Sequence, residues 1–281
     1  MLSDKSVIIT GGGRGIGKAI ALECAKHHAN VIILARTQSQ INDTLSEIHE
    51  KTGQDAQGYS VDVSSYSALK DFYEKVKHQN IFGVVCAAAI HGPIGPLETT
   101  DVKDWTHAIE VNLFGTMYMV HLFTPLMKKR KEGRFILFSG GGQGAFENFS
   151  AYVSSKGAIW RFCETVAKEL APFNIYMNAI APGAVNTALL DNVFKVGKEK
   201  VGEEYFQKSI QQKESGGIPV HIPAKAALYL LSDQSKGLYG KTISAVWDKY
   251  QDFKDLKKIS ESSIFTYKRV VDFDGGTQPK D

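Results

Sequence analysis

The sequence predicts an α/β protein built as a single domain on a doubly wound parallel sheet. Short, continuously apolar runs alternate along the chain with longer segments of helical period. Strands without polar alternation are typical of parallel sheets that are buried on both faces. Strict alternation of strands and helices indicates parallel strands joined by helical crossovers. The length of 281 residues, with 43% hydrophobic and 22% charged residues, suits one large globular domain.

The first half of the chain contains four predicted strands. Residues 7–9 form the first, and the helix after it is indicated by Ile16, Ala19 and Ile20, which recur at helical spacing. Residues 31–34 form the second, which is again continuously apolar. The same periodicities predict the remaining elements of this half: a polar-faced helix at 37–51, a strand at 58–63, a helix at 65–78, a strand at 81–86 and a long helix at 101–130.

The second half continues the alternation up to residue 246. An apolar stripe that includes Ile159, Phe162 and Val166 predicts a helix at 150–171. By the same criteria we predict strands at 134–138, 175–180 and 242–246, and a last helix at 223–233.

Two segments depart from the alternation. Residues 186–222 are polar and interrupted by glycines, so they are interpreted as an excursion from the sheet, either a lid over a substrate site or a plain surface insertion. We therefore assign residues 1–246 to one domain that contains this excursion. Residues 247–281 follow as a C-terminal extension. Its apolar side chains, such as Phe253 and Phe265, predict packing on the body or on a neighbouring subunit.

Composition argues against several classes of protein. The 33 basic and 30 acidic residues leave a net charge of +3, and the basic run 128–131 is better explained as a solvated helix end than as a nucleic-acid contact. Cys24, Cys86 and Cys163 lack disulfide or metal-ligand spacing, so inert core residues are expected rather than zinc ligands or nucleophiles. No apolar stretch reaches about 18 residues, and no secretory leader is recognisable. We expect a cytoplasmic protein without membrane or nucleic-acid partners.

A glycine-rich turn follows the first strand. Its sequence is Thr-Gly-x-x-x-Gly-x-Gly over residues 10–17. Glycines allow the backbone to approach a pyrophosphate, and a helix N-terminus offers free N–H groups and a positive dipole end. Such a turn also occurs for geometry alone, but its position between strand and helix favours dinucleotide binding.

The end of the second strand bears on the choice of dinucleotide. An NAD site commonly carries an acidic residue there to bind the ribose hydroxyls. Here the strand ends in Ala35 and Arg36, and Arg14 lies in the glycine turn. Two guanidinium groups can pair with a 2′-phosphate, which favours NADP(H). The alternative is that Arg36 is a solvated loop residue.

A tyrosine and a lysine lie four residues apart at the start of the helix at 150–171. Tyr152 and Lys156 share a helical face, so the lysine cation is expected to lower the pKa of the phenol and favour acid–base exchange with a carbonyl or hydroxyl. Alone this pair is explained by chance. Ser139 ends a strand thirteen residues earlier, where parallel sheets face their ligands, and its hydroxyl can hold a substrate oxygen or simply cap the strand.

Taken together, these residues resemble the short-chain dehydrogenase/reductase family of single-domain Rossmann-fold proteins. The matching segments occur in family order across residues 5–246. They are Thr10-Gly11-Gly12-Gly13-Arg14-Gly15-Ile16-Gly17, Asp62-Val63, Asn112, Ser139, Tyr152-x-x-x-Lys156 and Pro182-Gly183-Ala184-Val185-Asn186-Thr187.

The resemblance implies a role for each matching residue. Tyr152 is implied as the acid–base and Ser139 as the orienting hydroxyl. Lys156 is implied to bind the nicotinamide ribose, and Asn112 to hold a water that links Lys156 to solvent. The cofactor-binding residues implied are Gly11, Arg14, Gly15, Ile16, Gly17, Arg36, Asp62, Val63, Tyr152, Lys156, Val185 and Thr187.

The chain departs from the family pattern at two places. The fourth strand ends in Cys86-Ala87-Ala88-Ala89, where the family usually has Asn-Asn-Ala-Gly. This difference is expected to alter the local loop rather than the chemistry. Ser139 is followed by the glycine run 140–142, so the pocket floor is expected to be unusual.

The predicted function is NADP(H)-dependent hydride transfer on a ketone or secondary alcohol. One alternative is a nucleotide-sugar epimerase or dehydratase, which the spacing of the glycine turn disfavours. Another is a non-catalytic NADP-binding regulator, which the intact Ser, Tyr and Lys set disfavours. Apolar stripes on the helices at 101–130 and 150–171, with the resemblance, predict a homodimer or homotetramer. Candidates for the substrate pocket, each also explicable by ordinary packing, are His91, Phe146, Phe149, Leu189, Leu190 and Phe194.

Overall fold

The protein folds around one seven-stranded sheet. Its structure is a computed structural model that describes residues 2–141 and 145–267. The strand order is β3-β2-β1-β4-β5-β6-β7, and every pair is parallel. This confirms the predicted doubly wound sheet. The strands are β1 (Ser6–Thr10), β2 (Asn30–Ala35), β3 (Gln57–Ser60), β4 (Ile81–Cys86), β5 (Gly133–Phe138), β6 (Ile175–Ala181) and β7 (Thr242–Ser244).

Helices cover both faces of the sheet. On one face α1, α2 and α10 pack onto a core that includes Ile9, Ile33 and Leu230. On the other face α3, α5 and α6 pack onto Ile8, Val84 and Phe135. The helices are α1 (Gly15–Lys26), α2 (Gln38–Thr52), α3 (Tyr66–Val76), α4 (Val102–Ile109), α5 (Gly115–Arg130), α6 (Ser150–Leu170), α7 (Ala188–Val196), α8 (Lys198–Val201), α9 (Glu203–Glu214), α10 (His221–Leu231) and α11 (Leu256–Glu261).

The prediction of one continuous helix at 101–130 is wrong in one respect. A π-helical turn, Glu110–Phe114, separates α4 from α5. Asn112 occupies this turn and pairs its side-chain amide with both backbone polar groups of Ile90, at 2.9 Å each. A hydrogen bond between a side chain and a distant part of the backbone leaves no periodic pattern in the sequence. Apolar spacing alone therefore cannot reveal the wider turn.

Two predicted strands are shorter in the structure. The strand predicted at 58–63 ends at Ser60, because Asp62 turns the chain by accepting the backbone N–H of Ser64 at 3.0 Å. The strand predicted at 242–246 ends at Ser244, whose N–H donates to Asp248 at 2.7 Å. In both cases a carboxylate captures a backbone donor and starts a turn.

The segment 186–222 is mainly helical and comprises α7, α8 and α9. Gly197 and Gly202 separate these helices with φ values of 86° and 93°, which glycine adopts without strain. The ends of the segment are held together, since Ile218 N donates to Ala184 O at 2.8 Å and Gln212 Nε2 donates to Asn186 Oδ1 at 3.0 Å.

The C-terminal part of the chain lies against the free edge of β7 and against α6. The N–H of Thr242 donates to Phe265 O at 3.0 Å, and the Lys241 ammonium donates to Ser262 O at 2.6 Å. Arg161 on α6 donates to Tyr267 O at 2.8 Å. Residues 268–281 of the predicted extension lie outside the described residues. In the described ranges, no helix is long and apolar enough to cross a membrane.

Candidate active site

The glycine turn between β1 and α1 presents bare backbone. Gly11 and Gly15 have φ values of 68° and 56°, in the region that favours glycine. A Cβ on Gly17 would overlap the carbonyl oxygen of Gly11, and a Cβ on Gly11 would lie 2.9 Å from the Cα of Ala88. The first turn of α1 carries no acidic residue, so its positive dipole end is unopposed. The turn is therefore suited to an anionic group held by main-chain N–H groups.

A cleft of about 630 Å³ opens above this turn. It brings together residues that are distant in sequence: the glycine turn, the ends of β2 and β4, and the start of α7. Three residues that were predicted to bind the cofactor, Tyr152, Lys156 and Val185, do not line the cleft. The predicted cofactor residues on its wall are Gly11, Arg14, Gly15, Ile16, Gly17, Arg36, Asp62, Val63 and Thr187. These features fit a dinucleotide with its phosphates at the glycine turn.

Asp62 lies on the cleft wall as an ionised carboxylate. Burial favours its protonated form, but hydrogen bonds from the backbone and hydroxyl of Ser64 oppose the effect of burial. The charges of Arg36 and His107 act in the same direction as these bonds, and the pKa of Asp62 is held below its usual value. Asp62 can therefore accept hydrogen bonds at neutral pH.

Asn112 connects the loop after β4 to α6. Its amide Nδ2 donates both to Ile90 O and to Ser155 Oγ, at 2.9 Å each. The Ser155 hydroxyl in turn donates to the carbonyl of Tyr152 at 2.7 Å. This chain of hydrogen bonds fixes the first turn of α6 against the end of the sheet. Asn112 is fully buried, so each of these bonds forms away from competing water.

Lys156 lies beneath Tyr152 and is only 3% exposed. Its ammonium donates to the carbonyl of Phe138, at the end of β5, at 2.9 Å. The ammonium nitrogen lies 5.6 Å from the centroid of the Tyr152 ring. Burial lowers the pKa of Lys156 to about 8, and the neighbouring Cys86 thiol opposes that change. The lysine is therefore mainly protonated at pH 7.

The expected lowering of the phenol's pKa by Lys156 is not found. Burial raises the pKa of Tyr152, because removal from water disfavours the phenolate, and the neighbouring Tyr205 acts in the same direction. Tyr152 is thus a neutral phenol, which is a proton donor.

Ser139 follows β5 directly and is 1% exposed. Its hydroxyl oxygen has no hydrogen-bond partner in the described ranges 2–141 and 145–267. The backbone after it passes close to the phenol, since a Cβ on Gly141 would lie 2.9 Å from Cε1 of Tyr152. Gly142 of the predicted flexible run lies outside the described residues. A buried hydroxyl without a partner is costly, and it is ready to bind a ligand oxygen.

Comparison with known proteins identifies the family. The family model for short chain dehydrogenase matches residues 5–196, more than half of the chain. The chain belongs to the short-chain dehydrogenase/reductase family. It is therefore an oxidoreductase that acts on CH–OH or carbonyl groups with a nicotinamide cofactor.

Similar proteins match this chain over most of their own length. The uncharacterized oxidoreductase YxbG of Bacillus subtilis is 29% identical, covering 87% of this chain and 90% of its own. The short-chain reductase protein NovJ of Streptomyces niveus is 30% identical, with 86% and 93% covered. Among solved structures, NAD⁺-bound xylitol dehydrogenase is 26% identical with a TM-score of 0.78, covering 86% of this chain and 98% of that one.

Two residues that support the site of this short-chain dehydrogenase/reductase, Thr10 and Ser155, were not predicted as site residues. The Thr10 hydroxyl accepts the N–H of Ala88 at 3.2 Å and joins β1 to the loop where the family's asparagines are missing. Ser155 links Asn112 to α6, as described above. Thr10 belongs to the glycine motif that was recognised in the sequence, but no role was predicted for its side chain.

The candidate pocket residues divide into two groups. His91 and Leu189 line the cleft, whereas the other four, Phe146, Phe149, Leu190 and Phe194, do not. The aromatic candidates form contacts with one another or with α9: Phe146 stacks on Phe149 with centroids 4.2 Å apart, and Phe194 packs against Phe206 at 5.7 Å.

Proposed function

We propose that the protein is an NADP(H)-dependent oxidoreductase that interconverts a ketone and a secondary alcohol, with Tyr152 as the acid–base. The observation that carries this proposal is that three side chains lie at the end of β5 and the start of α6, two of them buried and Tyr152 half-buried. They are a hydroxyl without a partner at Ser139, a neutral phenol at Tyr152 and a cation at Lys156. This set suits binding a carbonyl oxygen and delivering a proton to it.

Each residue has a distinct task in the reduction of a ketone. The bound nicotinamide supplies the hydride to the carbonyl carbon. The Ser139 hydroxyl donates a hydrogen bond to the carbonyl oxygen and orients it. Tyr152 gives its phenolic proton to that oxygen, which completes the alcohol. The charge of Lys156 stabilises the phenolate left behind, and the Asn112–Ser155 hydrogen bonds hold α6 in place during the transfer.

The preference for NADP(H) over NAD(H) rests on charge. Arg14 and Arg36 line the same cleft, at the end where the glycine turn meets β2. A 2′-phosphate carries two negative charges and several acceptor oxygens, which guanidinium groups bind well. The similar xylitol dehydrogenase was solved with NAD⁺, so the family alone does not decide this preference.

The segment 186–222 is proposed as the substrate lid. Its Val193, Val201 and Tyr205 contact the apolar cluster of Phe149 and Tyr152 beside the proposed reacting centre. Closure there would exclude water from the hydride transfer.

The protein is further proposed to form a homodimer or homotetramer in the cytoplasm. The surface of α4 and the π-helical turn exposes Val102, which is 76% accessible, and Phe114. Packing of α4, α5 and α6 against the same helices of a second subunit, across a two-fold axis, would bury these side chains. Light scattering is expected to show at least a dimer at micromolar concentration, and a stable monomer would contradict the proposal. The free cysteines Cys24, Cys86 and Cys163 suit a reducing compartment.

The activity is tested by mixing the protein with NADPH and a panel of ketones while following the loss of NADPH absorbance. Tyr152→Phe keeps the ring but removes the transferable proton, so turnover is expected to fall at least about 100-fold. Binding of NADPH, measured by fluorescence, is expected to stay within about twofold. Substantial turnover by a folded Tyr152→Phe protein would remove Tyr152 from this role. Cofactor binding without turnover on any carbonyl would favour a regulator.

A further inference from the structure

His91 lies between the cofactor cleft and the proposed acid–base. It comes five residues after β4 and lines the cleft, yet it is only 7% exposed. Its ring meets the Tyr152 ring edge-on, with centroids 4.9 Å apart and an angle of 89°. The Phe149 ring packs against it at 5.2 Å and 82°. The imidazole is therefore held rigidly beside the phenol that exchanges the proton.

The imidazole is neutral but keeps its hydrogen-bonding capacity. Burial, helped by the charge of Lys156, lowers the pKa of His91 to about 4. A neutral imidazole has one N–H donor and one acceptor nitrogen. Its Nδ1 is buried without a hydrogen-bond partner in the part of the chain that the structure describes. An unpaired buried polar atom destabilises the fold, so packing alone would be better served by a phenylalanine or leucine.

The proposed reaction leaves this nitrogen without a task. Tyr152 and Ser139 suffice to bind the reacting oxygen. Because the ring centroids of His91 and Tyr152 are 4.9 Å apart, a substrate oxygen bound by the imidazole would lie close to the oxygen that Tyr152 protonates. A neutral side chain with one donor and one acceptor suits an uncharged hydroxyl or carbonyl and gives no ion pair to a carboxylate or phosphate.

We propose that His91 is a specificity-determining residue that hydrogen-bonds a second oxygen on the carbon next to the reacting carbonyl. This inference rests on the proposed function and deepens it by naming the substrate class. The class is α-hydroxy ketones and α-diketones, with vicinal diols as the corresponding alcohols. A polar site of this kind discriminates strongly against an analogue that lacks the bonding group, because its own polar atom then stays unpaired.

The test compares 2-hydroxycyclohexanone with cyclohexanone, each reduced with NADPH. We expect the wild-type kcat/KM to favour the hydroxy ketone at least about tenfold, which corresponds to about 1.4 kcal/mol. His91→Phe keeps an aromatic ring in place but removes both nitrogens. We expect it to abolish this preference, with the loss mainly in the KM of the hydroxy ketone. His91→Leu is a second variant, in case the larger ring is not accommodated.

A thermal unfolding measurement separates this role from a structural one. Because the substitution removes an unpaired buried nitrogen, the apo His91→Phe or His91→Leu protein is expected to unfold at the wild-type temperature or above it. His91→Asn retains a donor and an acceptor and is expected to keep part of the preference. The matched control is His78→Leu, which replaces an exposed histidine that precedes β4. It is expected to change neither the substrate preference nor the unfolding temperature.

Three results would overturn the proposal. The first is a wild-type protein that reduces both ketones equally well. The second is an unchanged preference in both His91→Phe and His91→Leu. The third is an equal loss on both ketones together with a lower unfolding temperature, which marks a packing residue. Failure of the proposed function looks different, since the wild-type protein would then reduce no ketone of the panel, and this inference would fall with it.

Discussion

Replacing Lys156 with methionine should reveal the free energy stored in a buried charge. Lys156 is almost fully enclosed, with its ammonium on the carbonyl of Phe138. Burial lowers its pKa from 10.5 to about 8. Methionine has a similar length and no charge. The variant therefore removes the titrating group while filling much of the same space.

The sign and size of the effect follow from proton binding. Between pH 8 and 10.5 the unfolded chain holds a proton on Lys156 that the folded protein has released. The wild type therefore gains stability relative to Lys156→Met as the pH rises through this window, and loses it as the pH falls. At about 1.4 kcal/mol per pKa unit, the lowering from 10.5 to about 8 corresponds to about 3 kcal/mol.

The assay is urea unfolding of both proteins at several pH values from about 7 to about 10.5, which covers the window between the two pKa values. The free energy of unfolding of the wild type minus that of Lys156→Met should rise by up to about 3 kcal/mol across it. Lys168→Met, at an exposed position of the same helix, is the control and should show a nearly constant difference. A difference that stays constant or falls as the pH rises would show that burial does not lower the pKa of Lys156.

Three further predictions concern the cleft and the lid. Gly17→Ala places a methyl group against the Gly11 carbonyl, so it should weaken NADP(H) binding at least about tenfold and lower the unfolding temperature, as titration and calorimetry would show. Arg36→Asp should shift the ratio of kcat/KM values from NADP toward NAD by at least about tenfold, and a wild type that already prefers NAD would contradict the role given to Arg14 and Arg36. Hydrogen exchange in the segment 186–222 should slow when cofactor and substrate bind, with the largest change near Gly197 and Gly202, and equal protection in both states would indicate a rigid insertion.

Much of the fold was accessible from the sequence because its signals are local. Continuous apolar runs such as 31–34 belong to strands that are buried on both faces, and periodic stripes belong to helices that pack on the sheet. The glycine turn and the Tyr152–Lys156 pair have spacings that a single helix or turn enforces. The family assignment and the enzyme class were predicted from these short-range patterns and are confirmed. The π-helical turn at Asn112 was not, because its cause is a contact with Ile90, 22 residues away in the chain.

The sequence alone determined which residue types were present and the order of the strands and main helices, but not where each element ends. Only the tertiary structure decided their electrostatics and their neighbours. The sequence argument expected Lys156 to acidify Tyr152, but in the folded protein desolvation raises the pKa of Tyr152 and lowers that of Lys156. The tertiary structure also places the His91 ring edge-on against Tyr152 and leaves its Nδ1 without a hydrogen-bond partner among the described residues. The solvent exposure and the hydrogen-bond partners of an atom depend on all the residues that surround it. Here those residues come from distant parts of the chain and are brought together by the packing of β4, β5 and α6.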